Sequence, residues 1–248
     1  MGKKMKILAL DSSGLVASVA VMEDDILTAE YNIQHKKTHS QTLLPMMDEI
    51  RKMINLDVAS LDAVALAAGP GSFTGLRIGS ATAKGLGLAL DIPLVEVPTL
   101  EGLAYNIYGF RDYVCPMMDA RRGQVYTGIY KFEKEGSGAG YQLVTVKGQC
   151  AVPIEEIVGI LNEMGHEVIF LGDGVPVFQE KLANLMKVGY SFAPAHMNRQ
   201  RAASIAALGG VYYRLGKKVS SQDHVPIYLR PSQAERERRE REEKQGSK

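Results

Sequence analysis

Twice along this chain of 248 residues an apolar run ends in an aspartate and a turn, and later a second apolar run ends in a glycine loop. The first pair is ILALDSSG around Asp11 and ALAAGPGS around Gly69; the second is VCPMMDARRG around Asp119 and IFLGDG around Gly172. The separations are 58 positions (69 minus 11) and 53 positions (172 minus 119). Aspartate at a strand end closes a turn by bonding to its own backbone, and glycine lets the chain leave a strand sharply. One supersecondary unit used twice, giving two lobes, accounts for the repetition. The length suits one large domain or two small lobes with a shared core.

The runs between these marks supply the elements. Residues 6–10 form a strand; Val16, Val19 and Val21 mark a second, closed by residues 23–25, and residues 26–33 a third, an antiparallel meander. Leu43, Met46, Met47, Ile50, Met53 and Ile54 recur at helical spacing and predict a helix over 40–54, with Ser40 as N-cap and Pro45 near the start. A strand over 62–68, a helix over 73–90 and a strand over 94–97 complete an order βββαβαβ. The second half predicts strands over 114–119, 124–132 and 141–146, a helix over 153–164, and a strand over 168–171. A helix over 199–215, an extended end over 226–231 and the charged run ERERREREEK over 235–244 follow; the last reads as a solvated tail. The expected divisions are a first lobe over 1–104, a second over 105–198, a C-terminal helix and extended end over 199–231 that pack back on the lobes, and a disordered tail over 232–248.

The glycine loop, AAGPGSFTGLRIG over 67–79, does not match the common phosphate-binding patterns. No Lys-Ser or Lys-Thr pair follows it, and its glycines are spaced GxGxxxG, not as in the dinucleotide fingerprint. The helix behind it carries Gly75, Gly79, Ala83 and Gly87 in one row and Ala81, Gly85 and Ala89 in a second. A glycine inside a helix costs about 1 kcal/mol against alanine, so close approach of neighbours must offset it. One neighbour is the lobe's own sheet; the other is either the preceding helix or a second protein. The stripe Leu43, Leu44, Met46, Met47, Ile50 is wider than one sheet needs, and methionines adapt to varied partners. The reading adopted is a subunit seam, with Phe73, Arg77, Gly79 and Ala83 contributed by the second helix.

Other chemistry is sparse. Lys and Arg total 29 against 28 Asp and Glu, so the chain as a whole is no nucleic-acid magnet. The two cysteines, Cys115 and Cys150, imply no disulfide framework. The start, MGKKMKILAL, reaches Asp11 too soon for a signal-peptide core, and no run approaches the ~20 apolar residues of a membrane span. A cytoplasmic location without membrane attachment is the expectation. His35 and His39 have i,i+4 spacing but no adjacent glutamate or third ligand, and read as surface or capping histidines. No Ser–His–Asp arrangement can be argued from spacing.

The duplicated layout resembles the actin/sugar-kinase/Hsp70 superfamily, an α/β fold in which two ribonuclease-H-like lobes of βββαβα type clamp a nucleotide between Asp turns and glycine loops. The resemblance narrows at AAGPGSFTGLRIGSATAKGLGLALDIPLVEVPTLEGLA, which is similar to the signature segment of the TsaB (YeaZ) family. ILALDSSG, HSQTLLPMMDEI, MDARRGQVY, LGDG and PIYLR also match that family in order, covering nearly the whole chain except the charged tail.

The resemblance implies an accessory subunit for making threonylcarbamoyladenosine beside the anticodon of tRNA. Its partners would be the catalytic paralog TsaD, bound through the N-terminal lobe, and the ATPase TsaE, with tRNA reached through the complex and the donor, threonylcarbamoyl-adenylate, made by a separate enzyme. A homodimer is expected in isolation. TsaD carries a metal-binding His-x-x-x-His; here the two positions fall on Thr99 and Leu103, neither of which supplies an imidazole. No catalytic residue and no metal are therefore assigned, and no cofactor of its own; ATP or ADP at the seam with the partner is left open. By superfamily analogy Asp11, Ser12, Gly71, Arg121, Arg122 and Gly172 are the candidates for nucleotide or anion contact. Whether Arg121, Arg122 or Lys84 touches tRNA is also open. The alternative is a stand-alone ATP-dependent phosphotransferase, against which Arg121 and Arg122 fill the turn that should receive phosphate.

Overall fold

The computed structural model describes residues 4–35, 38–136 and 138–231. The charged run over 235–244 lies outside the described residues. The first sheet has the order β3-β2-β1-β4-β5, from β1 (Lys6–Asp11), β2 (Ala17–Glu23), β3 (Ile26–Ile33), β4 (Ala63–Gly69) and β5 (Leu94–Pro98). The second has β8-β7-β6-β9-β10, from β6 (Tyr113–Asp119), β7 (Gln124–Lys134), β8 (Tyr141–Pro153), β9 (Val168–Leu171) and β10 (Tyr190–Phe192). In both, the first three strands pair antiparallel and the last two join in parallel. The duplication read from the spacing is thus present strand for strand.

Among the described residues six α-helices cover the sheets: α1 (His39–Met53), α2 (Phe73–Leu90), α3 (Thr99–Tyr105), α4 (Ile154–Met164), α5 (Val175–Leu185) and α6 (Ala202–Arg214). Strand β1 is apolar at every position before Asp11 except Lys6 because it is covered on both faces. Leu8 and Leu10 meet Leu43, Met46 and Ile50 of α1; Ile7 and Ala9 meet Ala202, Ile205 and Ala206 of α6. The α6 side of β4 consists of Ala63, Ala65 and Ala67, and α6 answers with Gly209, where a Cβ would stand 2.7 Å from that of Ala65. Small residues on both sides let helix and sheet approach closely.

The two lobes exchange helices. Helix α3 follows the first sheet in the chain, yet Leu100, Leu103 and Ala104 pack on Val114, Met118 and Leu171 of the second. Helix α6 follows the second sheet and packs on the first. They cross at Gly102, where a Cβ would meet Ile205 Cδ1 at 2.3 Å. No residue of α6 caps its own N-terminus; instead the Ala202 N–H donates to Ser18 Oγ (2.6 Å) and the Ala203 N–H to Glu30 (3.1 Å), which also pairs with Arg201. After α6, residues 217–231 return along α2, with Val219 paired to Leu94.

Several boundaries differ from expectation. Thr38, not Ser40, is the N-cap of α1, and Pro45 lies inside the helix. Strand β8 runs on to Pro153 because β7 pairs with it along its whole length. Helix α6 starts at Ala202, later than the expected 199, because Arg199 is drawn away to the carbonyl of Gly172 (3.2 Å). Helices α3 and α5 and strand β10 carry too little periodic signal to be read from sequence: seven, eleven and three residues, with Gly102 inside α3 and Pro176 at the start of α5.

Candidate functional site

The end of β1 and the glycine loop are built against each other. Asp11 is 2% exposed, and its Oδ1 accepts from the Ser13 N–H (2.9 Å) and the Ser13 hydroxyl (2.6 Å). Burial pushes its carboxyl up to about 6 despite those bonds. Ser12 Oγ donates to the carbonyl of Gly75 (2.9 Å). A Cβ on Gly71 would meet Ser13 O at 2.3 Å, on Gly75 Ser12 O at 2.0 Å, and on Gly79 Ser12 Oγ at 2.4 Å. A Cβ on Gly87, further along the row, would meet Ser221 Oγ at 2.1 Å. Gly69 (φ +118°) and Gly172 (φ +110°) end β4 and β9 in the same left-handed geometry, with backbone carbonyls of Ile227 and Met117 where a side chain would begin.

This corrects the assignment of Gly79 and Ala83 to a subunit seam: their row is filled from within the chain, by the turn after β1 and by residues 217–231. Leu43, Met46 and Ile50 likewise belong to the lobe's core and are closed to a partner. Phe73 stacks on Tyr228 (4.0 Å between centroids, planes 5° apart) with Arg77 over its ring. What stays open is the second row. Ala81, Gly85 and Ala89 are exposed, with nothing within 4 Å of a Cβ at Gly85, and Leu44, Met53 and Leu88 project beside them or along α1, more than half exposed. Met47 is half-buried and Arg77 exposed.

Between the lobes lies a cleft of about 680 Å³, lined by Gly71 and Ser72 from the glycine loop, His39, Asp119, Arg121 and Asp173 among others. Of the anion-contact candidates, Gly71 and Arg121 reach it. Asp11 and Ser12 are covered by their own turn, and Gly172 is packed on β6, which excludes them from direct contact. Arg121 and Arg122 sit at φ +65° and +55° at the tip of the β6–β7 hairpin; both side chains are exposed, and Arg121 pairs loosely with Asp119 (3.8 Å). Asp173 is a cleft carboxylate that the sequence reading missed, although Gly172-Asp173-Gly174 marked the place. Burial raises its carboxyl, with Arg199 opposing, and its Oδ1 has no partner. His39 bonds through Nε2 to the Gly14 carbonyl (2.8 Å), while His35 is exposed. Among the described residues no three His, Cys, Asp or Glu side chains are grouped to hold a metal ion.

The family profile described as TsaD, tRNA N6-adenosine threonylcarbamoyltransferase, matches residues 28–238. The tRNA threonylcarbamoyladenosine biosynthesis protein TsaB of Bacillus subtilis is 33% identical over 233 residues, 93% of this chain and 96% of that protein. That of Haemophilus influenzae is 34% identical, covering 92% and 94%. The chain belongs to the TsaB family. Its fold agrees: YeaZ from Pseudomonas aeruginosa superposes with a TM-score of 0.76 at 26% identity, over 91% of this chain and 100% of that one. The TsaB family has its role in tRNA threonylcarbamoyladenosine biosynthesis.

Within this TsaB family member the two positions compared with TsaD's histidines have structural work. Thr99 is fully buried and its Oγ1 accepts from the Gly69 N–H (3.0 Å), satisfying the strained glycine loop. Leu103 packs between the sheets beside Gly172. No helix among the described residues is long and apolar enough to cross a membrane.

Proposed function

We propose that this chain is a non-catalytic subunit in the threonylcarbamoylation of the adenosine beside the tRNA anticodon, pairing with TsaD and working with TsaE. The observation that carries the reading is the pair Thr99 and Leu103, buried and engaged in the fold where the resemblance to TsaD would require imidazoles. The burial of Asp11 under its own turn argues against the phosphotransferase alternative, because that carboxylate has no open path to a metal–nucleotide in the cleft. The partner face is the exposed row Ala81, Gly85 and Ala89 with Leu88, flanked by Leu44 and Met47 of α1. A patch of this kind left bare favours self-association, so a homodimer forms when TsaD is absent. ATP or ADP is the ligand to seek at the seam with TsaD, and tRNA is reached through the complex.

The test is transfer of the threonylcarbamoyl group to tRNA by TsaD and TsaE with and without this chain. Activity should require all three, and the chain alone should turn over no ATP. Gly85→Leu, placed in open space, should leave the fold intact and abolish pairing. ATP turnover by the chain alone, or pairing undiminished in Gly85→Leu, refutes the corresponding part.

A further inference from the structure

Residues 217–231 are held to the first lobe at successive points. Val219 pairs with Leu94 at the outer edge of β5; the Ile227 N–H donates to the Ala68 carbonyl (2.7 Å); Tyr228 stacks on Phe73. At the centre is His224, with no exposed surface and both ring nitrogens engaged. Its Nδ1–H donates to Glu96 Oε1 of β5 (2.5 Å), and Nε2 shares a hydrogen bond with Ser80 Oγ of α2 (2.8 Å). The carboxylate only accepts, which places a proton on Nδ1. The segment then leaves the first lobe: Arg230 Nη1 donates to the carbonyl of Ala120 in the β6–β7 hairpin of the second (2.7 Å), at the edge of the cleft.

Ser80, His224 and Glu96 have the connectivity of a nucleophile, a base and its orienting carboxylate. Two features argue against that use. Ser80 is 7% exposed, and it is the eighth residue of α2, where the surrounding backbone N–H groups are committed to the helix and none is left to stabilise an oxyanion. The same geometry makes a good lock, because a fully buried imidazole with both nitrogens engaged cannot leave without stranding the buried Ser80 hydroxyl and giving up its bond to half-buried Glu96.

We propose that residues 217–231 form a clasp across the interlobe cleft, keyed into the first lobe by His224 and latched to the second by Arg230. The exchanged helices α3 and α6, which meet at Gly102, serve as the hinge; the clasp acts at the cleft edge where Arg230 reaches Ala120, beside the bond from Gln149 Nε2 to the Gly69 carbonyl (3.2 Å), so releasing the latch or the key loosens the cleft. His224 is in this scheme a positioning residue that acts through Arg230.

The test is hydrogen–deuterium exchange on the full chain with Arg230→Ala, His224→Ala and Ser80→Ala, alongside small-angle scattering. Arg230→Ala should raise exchange in the hairpin over 119–124 at least tenfold and enlarge the radius of gyration, with no change in β6 or β9. His224→Ala should do the same in that hairpin, although the ring's two hydrogen bonds both go to the first lobe; a merely local role would loosen 219–228 alone. If His224→Ala does not fold, Ser80→Ala, which removes one of the two bonds of the key, takes its place. An unchanged hairpin in all folded variants overturns the clasp. Stoichiometric labelling of Ser80 by a fluorophosphonate probe overturns the lock and makes the cluster a reactive site.

Discussion

Replacing Gly75 by alanine should destabilise the protein, and the same change ten residues on, at Gly85, should stabilise it. A Cβ at position 75 stands 2.0 Å from the carbonyl oxygen of Ser12, against 3.4–4 Å for ordinary contact, so at least 1.4 Å (3.4 minus 2.0) must be recovered. The obstacle is backbone, in a turn held by the two bonds from Ser13 to Asp11, and it cannot swing aside. Overpacking of this kind costs about 1–3 kcal/mol. Moving the turn also breaks the buried bond from Ser12 Oγ to the Gly75 carbonyl, at about 1–3 kcal/mol more. The gain in helix propensity returns only about 1 kcal/mol, so the net loss is roughly 1–5 kcal/mol. At Gly85 nothing lies within 4 Å and only the propensity gain remains. For a chain of this size about 1 kcal/mol moves the melting temperature by about 2–4 °C. Thermal melts should therefore shift downward for Gly75→Ala and upward by that amount for Gly85→Ala. Gly79→Ala should fall between them, because Ser12 Oγ can rotate away once it gives up its bond. A melt for Gly75→Ala within one step of the wild type (about 1 °C), or a destabilised Gly85→Ala, would refute the assignment of the two rows.

The raised carboxyl of Asp11 makes stability depend on pH with a definite sign. Its folded value of about 6 lies above the ordinary 3.8, so stability is greatest below 3.8 and falls by about 3 kcal/mol as pH rises past 6. Asp11→Asn keeps an oxygen for both Ser13 bonds and should remove that slope, as unfolding free energies from urea curves at pH 4 and pH 7.5 (about 2 kcal/mol apart in the wild type from this group) will show. Thr99→Val should cost about 1–3 kcal/mol by leaving the Gly69 N–H without its acceptor, read from the same denaturation curves. Burial pushes the Cys115 thiol up to about 12 and raises that of half-buried Cys150, so native alkylation should label Cys150 first and Cys115 only on unfolding.

Much of the fold is legible in local pattern. The strand–Asp–turn and strand–glycine marks announced the duplication; the end residues of α2 and β9, Phe73, Leu90, Val168 and Leu171, follow from periodicity and punctuation. The family resemblance rests on the same stretch and agrees with the relatives. These features are visible because they depend on residues within a turn or two of one another. Legibility stops where a segment's neighbour comes from elsewhere in the chain. The row Gly75, Gly79, Gly87 advertises close approach, but nothing in it says whether the visitor is Ser12, Ser221 or a second protein. Leu43 and Leu44 are equivalent as letters; one is sealed in the core and the other exposed because the sheet lies on one side of α1 only. Asp173 enters the cleft, and Asp11 is shut out of it, through the way two turns pack on glycine loops. His224 meets Ser80 across 144 positions and Glu96 across 128, a coincidence that no spacing rule encodes. Sequence determined the long elements and that their pattern occurs twice, but not the short α3 and β10 or the Pro-led α5. Tertiary packing decided which helix covers which sheet, which glycines are occupied, and which face of α2 is left for a partner, because burial is a property of the neighbours and only the folded chain supplies them.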